Sequence, residues 1–389
     1  MTVLWSALTI FAVVLVVVGM VSLGLGHFAT WWHFNRSASP PMPDPPPSVS
    51  ILKPVEGGDA QTYEALGSFC RLNYPRPVEL LVGTIREDDP VVSVVERLRQ
   101  ALPDRAIRLV FAPLQGANRK TSIMEALWRE ASGEYLFFSD ADVVAAPDYL
   151  ERLVPLVASS GTGCLTCLPR GIRARCLGAK MIALHYDFNY LPQWMLAQWT
   201  TGIDWAIGHT MAVPRQVLER LGGFRGFLNH LADDYELGHR VAKLGLRVIV
   251  PAYLLDCVMP QESARAAARR LLRWKRTIRC ARGAAFVGMG LTYPVFWAFM
   301  LLALRPLAWW AWATLAVVIA IRLVLAHQFQ SWIRFPDWHR CWWLLPLLDV
   351  FEGLTFLGAF TGRTVVWAGR RYCLMPDGTL IERTSTGSR

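Results

Sequence analysis

No Asp, Glu, Lys or Arg occurs between Met1 and Asn35, and Val3 to Leu25 is almost wholly apolar. About 20 such residues cross a bilayer as a helix, so the stretch restricts the chain to folds tied to a membrane. A cleaved secretory signal would need a basic n-region, a shorter apolar core and a small-x-small site. The basic n-region is absent and no such site closes the run cleanly, so a retained anchor is expected over residues 1–35.

A second apolar block lies further on, in a chain that is 53% hydrophobic. Phe286 to Leu304 is uncharged, Arg305-Pro306 interrupts it, and Leu307 to Ile321 resumes it, which predicts a helical hairpin through the membrane. Trp342 to Phe360 is interrupted by Asp349 and Glu352. Acids at membrane depth face a bundle interior or mark a re-entrant piece, so this segment is expected to be membrane-associated. Residues 285–362 are read as the C-terminal membrane region and 363–389 as a tail.

Formal charge is +10, and Arg265 to Arg282 holds eight Lys or Arg with no acid. Such clusters beside membrane helices favour the cytoplasmic side and anionic headgroups. A basic interfacial helix is expected over 263–284, with the globular domain facing the cytoplasm. Nucleic acid is the competing partner for a basic, Trp-rich chain, and the membrane runs argue against it. Of eight cysteines only Cys164 and Cys167 are closely spaced, without a second pair at zinc spacing. They read as buried small hydrophobes with reduced thiols.

The proline-rich stretch over 36–48 is extended and semi-rigid by composition and separates the anchor from a globular domain over 49–262. There, short apolar strands ("VSILK", "ELLVGTI", "IRLVF", "YLFFS") alternate with amphipathic helical runs. That order argues an α/β domain, its sheet mostly parallel with helices on both faces. Ligands of such sheets bind beyond the carboxyl ends of the strands. Two acid groups fall at that edge, Asp88-Asp89 and Asp140-Ala141-Asp142.

Asp140 and Asp142 end a buried strand, where an unpartnered charge costs several kcal/mol, on the order of the penalties known for buried ions. Asp-x-Asp there suits Mn²⁺ or Mg²⁺, oxygen-seeking cations that share a few carboxylates with substrate phosphates. A solvated loop is the bland alternative. Asp89 can accept hydrogen bonds from a base or ribose, although "REDDP" also reads as a turn with helix-start acids. Asp233-Asp234 opens a clear helix, where one acid can cap while the other takes a proton from an attacking hydroxyl. Lys120 precedes a helix without Walker spacing and can approach a phosphate. Arg270 and Arg273 can neutralise a departing diphosphate, with Trp274 closing the site to water. Between Cys176 and Thr210 the chain is apolar and aromatic, read either as a core helix pair or as an interfacial helix with Trp194 and Trp199 at headgroup level. His185 and Asp187 are the acceptor-side candidates there.

"LKPVEGGD", "REDDP", "SDAD", "HLADDYELGHRVAKLG" and "RRLLRW" occur in the order seen in lipid-acting relatives of glycosyltransferase family 2. The chain resembles family 21, the ceramide glucosyltransferases, and also the hopanoid-biosynthesis-associated glycosyltransferases. The resemblance runs from the N-terminal anchor to "GRRYCLMPDGTLIE" and implies a GT-A nucleotide-sugar-binding domain. It assigns the nucleotide to Asp89 with Asp88 beside it, and the Mn²⁺ or Mg²⁺ on the UDP diphosphate to Asp142 with Asp140. It makes Asp234 the general base, and puts Arg270, Arg273 and Trp274 at the diphosphate. This chain has Arg270 where the family motif has Gln or Arg, and a full Asp-x-Asp where some eukaryotic members differ.

The implied reaction is a one-step inverting transfer of hexose from a UDP-sugar to a membrane lipid hydroxyl. UDP-glucose with ceramide leads, and UDP-N-acetylglucosamine with a hopanoid is the alternative. A processive polysaccharide synthase is disfavoured by the short C-terminal membrane region. A membrane-anchored scaffold that binds a nucleotide sugar without turnover is the reading from another class.

Overall fold

The computed structural model describes residues 2–36 and 39–383; Met1, Ser37 and Ala38 beside the linker, and 384–389 of the tail lie outside the described residues. A seven-stranded sheet forms the centre. Its strands are β1 (Val49–Pro54), β2 (Val78–Thr84), β3 (Ala106–Phe111), β4 (Tyr135–Ser139), β6 (Thr162–Thr166), β8 (Thr210–Pro214) and β9 (Arg247–Ile249), in the order β3-β2-β1-β4-β8-β6-β9. Only β8 runs antiparallel to its neighbours. A small sheet of β5 (Val143–Val144), β10 (Leu254–Val258) and β7 (Leu168–Ile172) adjoins the turn after β4.

Alternation sends Ile51 and Phe137 to one face and Leu52 and Phe138 to the other, as the period of two requires. Helices α2 (Ala60–Phe69), α3 (Val91–Ala101) and α5 (Tyr149–Val157) cover the first face through Leu66, Val95 and Leu153. Helices α4 (Arg119–Glu130), α8 (Arg215–Arg220) and α9 (Asp233–Lys243) cover the second through Met124, Leu218 and Leu237. Cys164 and Cys167 are buried free thiols among these apolar residues, as expected.

The N-terminal run is one helix, α1 (Thr2–Arg36), which packs along α7 (Leu191–Thr201) and α11 (Pro294–Leu304). Among the described residues three helical stretches are long and apolar enough to cross a membrane: α1, α12 (Trp309–Ile333), and Trp338–Thr361, which contains α13 (Trp338–Cys341) and α14 (Leu345–Gly358). The hairpin expected from Phe286 to Ile321 differs in its first arm. Phe286 to Gly290 belongs to α10 (Ala264–Gly290), and the axis turns by 62° before α11. The sequence "LTYP" explains the break, because Pro294 starts a helix but cannot continue one. The acids of α14 face inward: Asp349 bonds Arg322 of α12 at 2.7 Å, and Glu352 is 0% exposed.

Helix α6 (Leu177–Leu184), a π-helical turn (His185–Tyr190) and α7 form one continuous run, which divides the two readings of that stretch. Trp194 is buried in the core against the partly buried Trp205, whereas Trp199 is exposed beside Phe28 of α1. Residues 364–382, expected within a tail, form a third sheet of β11 (Thr364–Trp367), β12 (Arg370–Leu374) and β13 (Leu380–Glu382).

Candidate active site

The turn after β4 is held from both sides. The Asp140 amide donates to the His209 carbonyl at 3.1 Å, and Lys53 Nζ donates to the Asp140 carbonyl at 2.5 Å. Lys53 lies on β1 and is fully buried, so desolvation pulls its ammonium down to about 7 against the opposing pull of Asp142 and Asp140. Burial, then repulsion from Asp140, pushes Asp142 up to about 6. Its Oδ1 is buried and has no hydrogen-bond partner among the described residues. A buried carboxylate oxygen in that condition fits a divalent cation. No group of three or more His, Cys, Asp or Glu among the described residues makes a closed metal site. A cation here would rest on Asp142 and Asp140 and take its remaining oxygens from phosphate and water, the usual Mg²⁺ pattern.

Lys120, in the first turn of α4, joins this turn to the start of α9. Its Nζ lies 2.6 Å from Asp140 Oδ1 and 3.6 Å from Asp233 Oδ2, and these carboxylates keep it protonated against burial. Asp234 Oδ2 accepts from the Gly208 amide at 2.8 Å, and a Cβ at Gly208 would stand 3.0 Å from Lys120 Nζ and 3.3 Å from Asp234 Oδ2. Glycine is therefore what lets the β8 approach lie against both side chains. Burial and the neighbouring Asp233 push Asp234 up to about 6, with Lys120 opposing. A carboxyl near that value is a usable base at neutral pH. Neither acid of the pair caps α9, whose cap is Ala232 without a side-chain bond.

Helix α10 brings the basic motif to the same place. Arg270 is paired with Glu262 at 3.0 Å and acts electrostatically on Asp142, while Arg273 acts on Asp234. Both guanidinium carbons lie 5.9 Å from the Trp274 ring centroid. Trp274 stacks on His185 at 5.6 Å and on Tyr186 at 5.7 Å. The Tyr186 hydroxyl lies 3.0 Å from His209 Nε2, and burial holds His209 neutral, down at about 4. An aromatic and polar chain thus runs from Trp274 to the Asp140 turn.

Asp140, Asp142, Lys120, Asp234, Arg270, Arg273 and Trp274 therefore come together from distant parts of the chain. Asp88 does not join them: it is exposed and paired with Arg86 at 2.8 Å. Asp89 is 7% exposed, and its carboxylate accepts from the Gly57 and Val91 amides at 2.9 Å, so it shapes the "VEGGD" loop. The acceptor-side pair is corrected. Asp187 is fully buried and accepts from the Gly171 amide at 3.1 Å, and His185 is 7% exposed with Nδ1 on Glu352. Both turn inward because the π-helical turn packs on β7, with Asp187 on the Gly171 amide and His185 on Glu352 of α14. Lys53, Gly208 and His209 escaped the sequence reading. A lysine inside the apolar strand "VSILKP" was the available sign; "IGHT" carried none. The basic helix is also less interfacial than its composition suggests. Lys275 is buried, Arg276 and Arg279 donate to the Thr364 and Gly362 carbonyls, and Arg282 pairs with Asp204.

The family model for Glycosyl transferase family 21 matches residues 11–380. Ceramide glucosyltransferase 1 of Caenorhabditis elegans is 24% identical over 215 residues, covering 54% of this chain and 46% of that protein. The beta-monoglucosyldiacylglycerol synthase of a Synechocystis strain is 24% identical over 218 residues, covering 53% and 43%. The chain spans about half the length of such relatives. A solved mannosyltransferase from Pyrobaculum calidifontis, in complex with GDP-Man and Mn²⁺, superposes with a TM-score of 0.54 at 21% identity, covering 90% of this chain and 99% of that one. The fold is accordingly the GT-A type with apolar helices near both termini, and the chain belongs to glycosyltransferase family 21.

Proposed function

We propose that the protein transfers a hexose from a UDP-sugar to a membrane lipid hydroxyl with inversion, with UDP-glucose and ceramide as the leading pair. The observation that carries the reading is Asp234: a half-buried carboxylate fixed by the Gly208 amide, beside Lys120 and within the field of Arg273. Asp234 would take the proton of the lipid hydroxyl as that oxygen attacks the anomeric carbon, and Arg273 with Arg270 would balance the charge on departing UDP. Double displacement would require a separate carboxylate as nucleophile, whereas inversion needs Asp234 alone. Mn²⁺ or Mg²⁺ held by Asp142 and Asp140 would supply Lewis-acid stabilisation of the diphosphate. Asp89 would act through the loop it shapes, with Asp88 at the periphery.

The acceptor class is supported by the named lipid-acting relatives and by α10, which carries the basic motif directly into the apolar helices. Those helices and the positive charge beside them support an integral membrane protein with its catalytic domain on the cytoplasmic face, at the inner membrane of a bacterium. Diacylglycerol is a second acceptor to weigh, since one relative bears that name.

The test is direct. Detergent-purified protein with Mn²⁺ is given UDP-glucose, UDP-galactose or UDP-N-acetylglucosamine, each with ceramide, diacylglycerol or a hopanoid polyol, and lipid glycosides are read by mass spectrometry. Hexosylceramide that disappears in Asp234→Asn supports the reading. Product from another lipid moves the acceptor and keeps the chemistry. No product from any pair while UDP binds would overturn the transferase reading in favour of a binding scaffold.

A further inference from the structure

Beside the catalytic cluster, on the side of the apolar helices, lies a second polar group to which the chemistry above gives no role. Asp204 stands in the loop between α7 and β8. Its Oδ1 accepts from Arg282 Nη1 at 2.7 Å, and its Oδ2 lies 3.3 Å from His239 Nδ1. Arg282 rests 3.7 Å over the Trp205 ring, and His239 stacks on Tyr235, 5.4 Å between centroids and 17° between planes. Tyr235 follows Asp234 directly in α9, so the group borders the proposed base.

A carboxylate only accepts, so Nδ1 carries a proton toward Asp204, and in the neutral ring Nε2 is an acceptor. That nitrogen has no hydrogen-bond partner among the described residues, and the side chain is 30% exposed. Asp204 and Arg282 cancel in charge, so the cluster offers little attraction to an anionic headgroup. It suits a neutral one that can donate an N–H or O–H.

Its height also fits a lipid. Trp199, exposed near the end of α7, meets Phe28 of α1 at 6.1 Å, the kind of aromatic pair that settles at headgroup level. Arg282 is the last charged residue before Gly283, where a φ of +39° kinks α10 and the uncharged Ala284–Gly290 begins. Only glycine adopts such a backbone at small cost. A lipid alcohol presented to Asp234 from this side would lie beside Tyr235, its neighbour in α9, and the His239 ring stacked on it.

We propose that Asp204, Arg282, His239 and Tyr235 form the headgroup subsite for the lipid acceptor, with His239 Nε2 accepting a hydrogen bond from an N–H or O–H other than the attacking hydroxyl. The inference rests on the transferase reading and adds the group that selects the acceptor. A site built to accept such a bond discriminates strongly against analogues without the donor.

Full-length protein in nanodiscs is assayed with UDP-glucose and three acceptors of matched chain length: ceramide, its N-methyl-3-O-methyl derivative, and diacylglycerol. The unaltered protein should show at least a tenfold higher kcat/KM for ceramide than for the other two. His239→Phe, which keeps the ring stack but removes Nε2, should bring that ratio close to one while UDP binds with unchanged Kd. Asp204→Asn should lower the ratio partway. An unchanged ratio in His239→Phe, or no preference in the unaltered protein, would overturn the subsite. If no lipid is glycosylated although UDP binds, the transferase reading fails, and equilibrium binding of a fluorescent short-chain ceramide then decides the subsite. Weaker binding in His239→Phe supports it, and equal binding sinks it.

Discussion

Glu352, deep in α14, lies 2.5 Å from His185 Nδ1 through one carboxylate oxygen and pairs with Lys275 Nζ through the other. His185 in turn lies flat against Trp274, so an acid on a membrane helix reaches the proposed diphosphate site through one imidazole. Removing one member of a buried pair strands the other charge, at a cost of about 3–5 kcal/mol. Glu352→Ala should therefore lower both the melting temperature in detergent and turnover. The paired change Glu352→Leu with Lys275→Met removes both charges and should restore most of the melting temperature. Turnover should stay low, because His185 has lost what holds it against Trp274. A double variant as active as the parent would show that the network only stabilises the bundle.

The acid limb of the pH profile should report the site. As the proposed base, Asp234 would have to be ionised to act, and both it and Asp142 are pushed up to about 6. Then kcat/KM, which reports the free enzyme, should fall as pH drops below about 6, with a slope approaching two at low Mn²⁺. Saturating Mn²⁺ should hold Asp142 ionised and bring the slope towards one. The stability linkage has the opposite sign: a raised folded pKa means the folded chain holds the proton more tightly. Each carboxyl thus favours folding at about pH 4 and below, a contribution lost as pH rises through about 6. An acid limb centred near pH 4 would contradict the burial that raises these groups.

The lysine beneath the Asp140 turn gives a sharper test of metal binding. Asp142→Asn removes the charge from the proposed metal ligand, which carries the only buried, unpartnered oxygen of the Asp-x-Asp turn among the described residues. Calorimetry should show UDP affinity in Mn²⁺ falling at least tenfold and UDP affinity in EDTA changing little. Lys53→Met should loosen the Asp140 carbonyl it holds and weaken UDP in both conditions. Equal UDP affinity in Mn²⁺ and EDTA for the unaltered protein would argue against a metal.

Strand-end acids were legible because an apolar run that stops at two carboxylates leaves few alternatives, and Asp140, Asp142 and Asp234 are found together. The α/β order was legible for a similar reason, since each strand and helix carried its own period. What escaped depends on long-range packing. The partner of Glu352 lies 77 residues away, and nothing local to "RWKRT" distinguishes Lys275 from the other basic residues of α10. His185 and Asp187 looked like polar interruptions facing a ligand, yet the π-helical turn points them into the core. "RRYCLMPDGTLIE" carries too little apolar alternation to announce strands, because its sheet covers only one small cluster around Leu231.

That C-terminal sheet supports the last prediction. The Leu380 amide donates to the Asn229 carbonyl at 2.7 Å, and the Leu231 amide donates to the Gly378 carbonyl at 3.2 Å. Asn229 Oδ1 accepts from the Ala117 amide at 2.9 Å, and Asn118 Nδ2 donates to the His230 carbonyl at 2.8 Å. Asn118 also caps α4 by accepting from the Thr121 amide at 3.0 Å, two residues before Lys120. The sheet thus fixes the segment that leads into Asp233 and Asp234 together with the helix start that aims Lys120. Ending the chain after Gly362 leaves every residue of the catalytic cluster in place but frees both segments. A misplacement of about 1 Å can cost 10²-fold in rate, so kcat should fall by about tenfold or more while the KM for the donor moves less. Tyr372→Ala, which hollows the cluster under the sheet, should fall between the parent and the truncation. If the truncated protein melts like the parent and keeps its kcat, the sheet is a cover and does not align the base.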